Sequence, residues 1–333
     1  MRAALCRTYG GPEVVELADV PSPPIGPGQV RVRINVGAVN FPDVLVVANT
    51  YQVSVPTPFI LGSEYAGTVI ELGDGVTSLA PGDRVFGSTI VGAFAEEIVV
   101  APTNLMRIPD GVDDHTAAAF GVAYRTAYHV LRSVAALRSG EELVVLGAGG
   151  GVGSAAVQLG VLLGASVTAV ASTPEKLEAA RVMGAERLIE HRAGELRQAL
   201  REALPHGADV VVDPVGGDLA EPALRALHFG GRFVTVGYAS GTIPRIPLNL
   251  VLLKGCRILG FQFGDFARHL PEELARNDGE LLDLLTSGRA APLIGATFSL
   301  AEAGEALRCV AEGRALGKVV VEVGRGQGAE APG

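Results

Sequence analysis

The stretch Leu143-Val144-Val145-Leu146-Gly147-Ala148-Gly149-Gly150-Gly151-Val152-Gly153-Ser154 constrains this chain more than any other. An apolar strand runs directly into a glycine turn and then a helix start. Glycines permit the tight turn and let the backbone approach a pyrophosphate, while the helix offers free N–H groups and its positive dipole end. The strict G-x-G-x-x-G spacing is missed, because with Gly150 and Gly153 as the later positions the first falls on Ala148. The downstream pattern restores the reading. After the strand at Leu143–Leu146 come Ser166–Ala171 with a helix from Pro174, Arg187–Ile189 with a helix over Leu196–Ala203, then Val210–Asp213 and Arg232–Val236. Arg257–Phe261 is a candidate last strand. Apolar strands alternating with helices predict a parallel, doubly wound sheet, and a dinucleotide on its glycine turn. The rival is a turn that serves only strand–helix packing.

The end of the second strand indicates which dinucleotide. An NAD site usually places an acidic residue there to accept from the ribose hydroxyls. Here the sequence is Val170-Ala171-Ser172-Thr173-Pro174-Glu175-Lys176. No acid closes the strand, and Ser172 and Lys176 sit where a 2′-phosphate would go, which favours NADPH. His191-Arg192 after the third strand complete a basic pocket, with Arg a natural bidentate partner for phosphate. Glu175 remains ambiguous, since an acid in a first helical turn also favours the dipole. Lys176 and Arg192 can equally be read as solvated surface charges.

The preceding ~120 residues have another rhythm. Val30–Val36 alternates with period two, and Ala66–Leu72, Arg84–Phe86 and Ala95–Val100 are further short strands between Gly/Pro turns. Such spacing predicts a compact, mostly antiparallel barrel. Thr116–Leu137 is Ala-rich with helical periodicity. Beyond residue 262 a helix at Ala301–Glu312 and a strand at Lys318–Val323 return to mixed structure, and the Gly/Ala/Pro-rich tail from Gly324 carries no regular pattern. The domains expected are thus 1–120 with 262–333, and 121–261.

A net charge of −9 gives no reason to expect nucleic acid or anionic lipid. No uninterrupted apolar run reaches the length of a membrane span, and Arg2 and Arg7 bracket too few apolar residues for a signal peptide. The cytoplasm is the expected location. Three cysteines stand singly, and six histidines show no HxxxH or HExxH spacing. No metal site is expected. Hydride transfer needs none, because the nicotinamide carries the chemistry.

Val39-Asn40-Phe41-Pro42-Asp43-Val44, Leu61-Gly62-Ser63-Glu64-Tyr65-Ala66-Gly67 and Gly150-Gly151-Val152-Gly153-Ser154-Ala155-Ala156-Val157-Gln158-Leu159 together resemble the zinc-independent quinone oxidoreductase (zeta-crystallin-like) branch of the medium-chain dehydrogenase/reductase superfamily. Ser63 stands where zinc relatives have a ligand His, and no Cys lies near Asp43. The resemblance implies a GroES-like β-barrel catalytic domain beside a Rossmann domain. It implies cofactor contacts from Thr126, from Gly150, Gly151, Val152 and Gly153, and from Ser172, Lys176 and His191, beside the Arg192 read above from the residues themselves. Arg314 reaches the phosphate in this reading, and Gly237, Tyr238, Phe261 and Phe263 line the nicotinamide end. Asn40 and Tyr51 would bind the acceptor oxygen, with Asp43 beside them orienting Asn40 or the loop. A homodimer joined through the strand matching Arg257–Phe261 is implied as well. The sequence departs from the pattern at Val47-Ala48-Asn49-Thr50-Tyr51 and at Arg125, which replaces an apolar residue, so the acceptor stays open. A quinone or an enone suits the resemblance. An enoyl or 2-alkenal reductase is the nearest alternative, and a non-catalytic NADPH-binding protein is one of a different class.

Overall fold

The computed structural model describes residues 1–324, so the tail beyond Gly324 lies outside the described residues. The chain divides into two compact units. One comprises Met1–Val122 with the chain from Ile294 onward, and the other Ala123–Leu293.

The first unit begins with β1 (Arg2–Cys6), β2 (Val15–Asp19) and β3 (Val30–Val39), followed by α1 (Phe41–Val47). Then come β4 (Phe59–Ile60), β5 (Glu64–Leu72), β6 (Arg84–Ser88), β7 (Glu97–Val100) and β8 (Leu105–Arg107). Helix α2 (Asp114–His129) contains the division between the units. The alternation in Val30–Val36 puts Val30, Val32, Ile34 and Val36 inside, as period two requires. Val30, Val32 and Ile34, with Tyr65, Val69, Phe94 and Leu61, belong to one core beneath a three-stranded sheet and a seven-stranded one.

The second unit carries β9 (Glu142–Leu146), α3 (Gly151–Leu162), β10 (Ser166–Ala171), α4 (Pro174–Val182), β11 (Arg187–Glu190), α5 (Leu196–Ala203) and β12 (Ala208–Asp213). After α6 (Ala220–Ala226) and β13 (Leu227–Thr235) it continues with α7 (Leu248–Lys254), β14 (Arg257–Gly260), α8 (Phe263–His269) and α9 (Pro271–Thr286). Six parallel strands lie in the order β11-β10-β9-β12-β13-β14. The order reverses between β9 and β12, and ligands bind such sheets at the carboxyl edge beside that reversal. Gly153 is fixed by packing. A Cβ there would sit on the Gly147 carbonyl oxygen, so only glycine lets α3 leave β9 this closely.

The chain then returns to the first unit through β15 (Ile294–Ser299), α10 (Ala303–Ala311) and β16 (Lys318–Glu322). Its boundary differs from the sequence expectation, which returned residues 262–293 to the first domain. Side chains of α9 explain the difference. Asp278 takes both ends of Arg125, Asn277 reaches His129 and Ser133, and Glu280 accepts from Tyr128. These contacts tie α9 to the latter part of α2, inside the second unit.

Candidate functional site

In the first unit, register alone assembles a buried polar cluster. Ala38 on β3 pairs with Glu64 on β5, and Val39 pairs with Val319 on β16. The chain therefore places Asn40, Glu64 and Lys318 at three neighbouring strand ends. Lys318 Nζ donates to Asn40 Oδ1 at 2.6 Å, to Glu64 Oε2 at 3.0 Å and to the Val39 carbonyl at 3.2 Å. Asn40 Nδ2 donates to the same Glu64 oxygen at 3.0 Å, and the Val122 N–H donates to Glu64 Oε1. Both charged side chains are almost wholly buried, at 3% and 1% exposure. A buried pair persists only when the remaining donors and acceptors are satisfied, and here all three ammonium bonds are made.

Asn40 also starts α1, where the Asp43 carboxylate accepts from the Asn40 N–H at 2.7 Å. Burial pushes the Asp43 carboxyl up to about 7. The Asn40 N–H, the Ser63 hydroxyl and the Lys318 charge pull the other way, and Glu64 adds to the rise. Tyr51 is half-buried, and burial, then the Asp43 charge, raises its phenol above the ordinary range. The Asn40 carboxamide is committed internally at both ends.

In the second unit, the sequence-predicted cofactor residues gather at the carboxyl edge of the parallel sheet. Gly150 caps α3 in an extended conformation, leaving the helix N-terminus at the end of β9. The stem of Lys176 lies across Gly149, where a Cβ would meet it at 2.5 Å. Ser172 follows β10 directly, and Thr173 caps α4 by accepting from the Lys176 N–H at 3.4 Å. His191 donates its own N–H to the Ala171 carbonyl at 3.1 Å, so the residues after β10 and β11 sit side by side. Its imidazole is held below the usual value by burial first, then by the Arg192 charge, with Lys176 adding and Glu190 opposing. Lys176, His191 and Arg192 thus form one basic group. The Glu175 carboxyl is lowered by backbone N–H donation and the Thr173 hydroxyl, which is the behaviour of a helix-start acid.

Further along the same edge, Asp213 ends β12 buried and accepts from the N–H groups of Val215 and Gly216, both at 2.8 Å. This shapes the turn beside Gly237 and the exposed Tyr238. Phe261 and Phe263 follow β14, and Thr126 is buried on α2. Arg314 belongs to the first unit, and its guanidinium is engaged by Glu312 at 2.7 Å and Glu305 at 2.9 Å. Among the described residues no group of three or more His, Cys, Asp or Glu side chains is placed to hold a metal ion. No described helix is long and apolar enough to cross a membrane.

Residues 26–110 match the alcohol dehydrogenase GroES-like domain, and 151–277 match the family described as zinc-binding dehydrogenase. The quinone oxidoreductase-like protein 2 homolog of Nematostella vectensis is 36% identical over 324 residues, covering 96% of this chain and 88% of that protein. The chain belongs to the quinone oxidoreductase-like branch of the medium-chain dehydrogenase/reductases. The Bos taurus quinone oxidoreductase-like protein 2 is likewise 36% identical, over 97% of this chain and 92% of its own. Among solved structures, the quinone oxidoreductase of Thermus thermophilus, described also in its complex with NADPH, is 33% identical. It aligns with a TM-score of 0.84 over 97% of this chain and 100% of its own. The two-unit architecture read from the sequence, GroES-like and Rossmann-type, is the architecture of this branch.

The sequence reading missed Lys318 as a site residue, and it gave Glu64 only a place in a motif. Each is a lone charge opening an apolar strand, Lys318-Val319-Val320-Val321 and Glu64-Tyr65-Ala66. That is the signal by which both were discoverable.

Proposed function

We propose that this protein is an NADPH-dependent reductase that passes the C4 hydride of the nicotinamide to a quinone or another electron-poor acceptor such as an enone. The observation that carries the reading is the basic group Lys176–His191–Arg192 beside a β10 that ends without an acid. It sits next to a helix N-terminus at the reversal of strand order, where a pyrophosphate is stabilised by free N–H groups and the dipole. The NADPH complex of the Thermus relative supports the same choice of cofactor. The cofactor supplies the hydride. The chain's own residues bind its phosphates, and Gly237, Tyr238, Phe261 and Phe263 line its nicotinamide end. Thr126 assists there. Tyr51 donates to the acceptor oxygen, and Asn40 and Asp43 position the barrel-side loop that carries it. With Ser63 within the Gly62–Gly67 segment, the reaction runs without zinc.

The protein works as a cytoplasmic homodimer in this reading. Strand β14 is a sheet edge, and Phe229, Leu248, Leu252 and Leu253 expose at least 73% of their surface near it. An unpaired edge flanked by apolar side chains favours pairing with a second copy.

The test is oxidation of NADPH and NADH, followed at the nicotinamide absorbance, against a panel of quinones, enones and enoyl thioesters. Turnover of quinones or enones with NADPH supports the reading. Turnover confined to enoyl thioesters moves it to the enoyl-reductase alternative, and tight NADPH binding without turnover of any acceptor moves it to a non-catalytic role.

A further inference from the structure

Helix α2 carries Arg125, and the structure gives its side chain defined partners. Arg125 Nε donates to Asp278 Oδ1 at 2.8 Å and Nη2 donates to Oδ2 at 2.7 Å, a bidentate pair whose side chains are 18% and 16% exposed. The same guanidinium stands 4.7 Å from the ring centre of Phe263. Planar guanidinium groups favour both arrangements, and a lysine cannot reproduce them together. Phe263 is also the first residue of α8, directly after the β14 edge.

The other side of this turn is packed against His129, one helical turn after Arg125. The imidazole of His129 lies 5.7 Å from the ring of Phe263, 6.3 Å from that of Phe261 and 4.8 Å from that of Phe266. Asn277 Nδ2 meets His129 Nδ1 at 3.0 Å, and His129 Nε2 lies 3.5 Å from Asp278 Oδ1. Asp278 therefore anchors Arg125, Asn277 holds His129, and between them the two α2 side chains pack against the Phe261–Phe263 turn.

We infer that Arg125 is a positioning residue: with Asp278 it clamps Phe263 and so fixes the Phe261–Phe263 turn against which the nicotinamide ring lies. This rests on the reading that Phe261 and Phe263 line the nicotinamide end. Hydride transfer is sensitive to small displacements of the donor carbon, whereas the adenosine phosphates are held elsewhere, by Lys176 and its neighbours. Arg125 thus acts on the chemical step and leaves cofactor affinity alone.

The experiment compares wild type with Arg125→Met, Arg125→Lys and Asp278→Asn in three readouts: amide hydrogen exchange of residues 262–270 without cofactor, NADPH affinity, and kcat with one quinone. Arg125→Met and Asp278→Asn are expected to speed exchange across α8 and to lower kcat about tenfold. NADPH affinity is expected to stay within about twofold, and Arg125→Lys to fall between wild type and Arg125→Met. Unchanged exchange in Arg125→Met overturns the clamp. Faster exchange with unchanged kcat, or a kcat loss matched by lost NADPH affinity, overturns the positioning role. A wild-type protein that binds no NADPH sinks the cofactor reading itself, and this proposal with it, before any variant is compared.

Discussion

Replacing Lys318 by Met tests whether the buried charge cluster holds the first unit together. Methionine keeps most of the stem volume but removes the ammonium, so the loss is electrostatic. Glu64, at 1% exposure, would then keep only the Asn40 amide and the Val122 N–H, and Asn40 Oδ1 and the Val39 carbonyl would each lose a donor. Removing one partner of a buried ion pair costs about 3–5 kcal/mol. At about 2–4 °C per kcal/mol for a unit of this size, the melting temperature of that unit drops by roughly 6–20 °C. Urea unfolding followed by circular dichroism reads the free energy directly. The double variant Lys318→Met, Glu64→Gln removes the stranded charge and is expected to recover part of the loss. A Lys318→Met protein within about 1 kcal/mol of wild type, or a double variant no better than the single one, refutes the reasoning.

Three further outcomes are expected from the same geometry. The Asp43 carboxyl titrates at about 7 in the folded protein but near its ordinary value of 3.8 when unfolded, so folding takes up a proton in between and stability falls as pH rises through that window. Asp43→Asn removes this slope of up to about 1.4 kcal/mol per pH unit in urea titrations. His191 is held below its ordinary value in the free protein, so a 2′-phosphate raises it and binding takes up a proton. The ratio of NADPH to NADH affinity is expected to grow from about pH 8 to about 6.5, above the phosphate's own second pKa of about 6, and to stay flat in His191→Gln. Light scattering is expected to give twice the 34.3 kDa chain mass for wild type, and a monomer for Phe229→Asp with Leu252→Asp; a wild-type monomer removes the edge-pairing proposal.

Local chemistry made the second unit legible in the sequence. Helix α5 begins at Leu196 and ends at Ala203 as read, α4 starts at Pro174, and the glycine turn stands at the end of β9. Edges were less exact. The strand read as Arg232–Val236 begins at Leu227, because Gly230 and Gly231 interrupt its apolar pattern. The contacts that were illegible are long in sequence. Lys318 meets Asn40 across 278 residues and Arg125 meets Asp278 across 153. Neither periodicity nor spacing reports such a pairing. The same blindness misplaced 262–293, since α9 looks like any amphipathic helix until its acidic face finds α2. Ser172, Lys176, His191 and Arg192 could be grouped from the sequence because they fall within about twenty positions on consecutive strand ends, whereas the barrel-side cluster is assembled by strand register from three distant segments.

The measurement that tests the central claim most directly is calorimetric titration of wild type and Lys176→Ala with NADPH and with NADH. Wild type is expected to prefer NADPH by roughly tenfold or more, about 1.4 kcal/mol, and Lys176→Ala to lose most of that preference while its NADH affinity holds. Equal binding of the two nucleotides by wild type, or an NADH preference, would contradict the 2′-phosphate site and make Glu175 the ribose ligand instead.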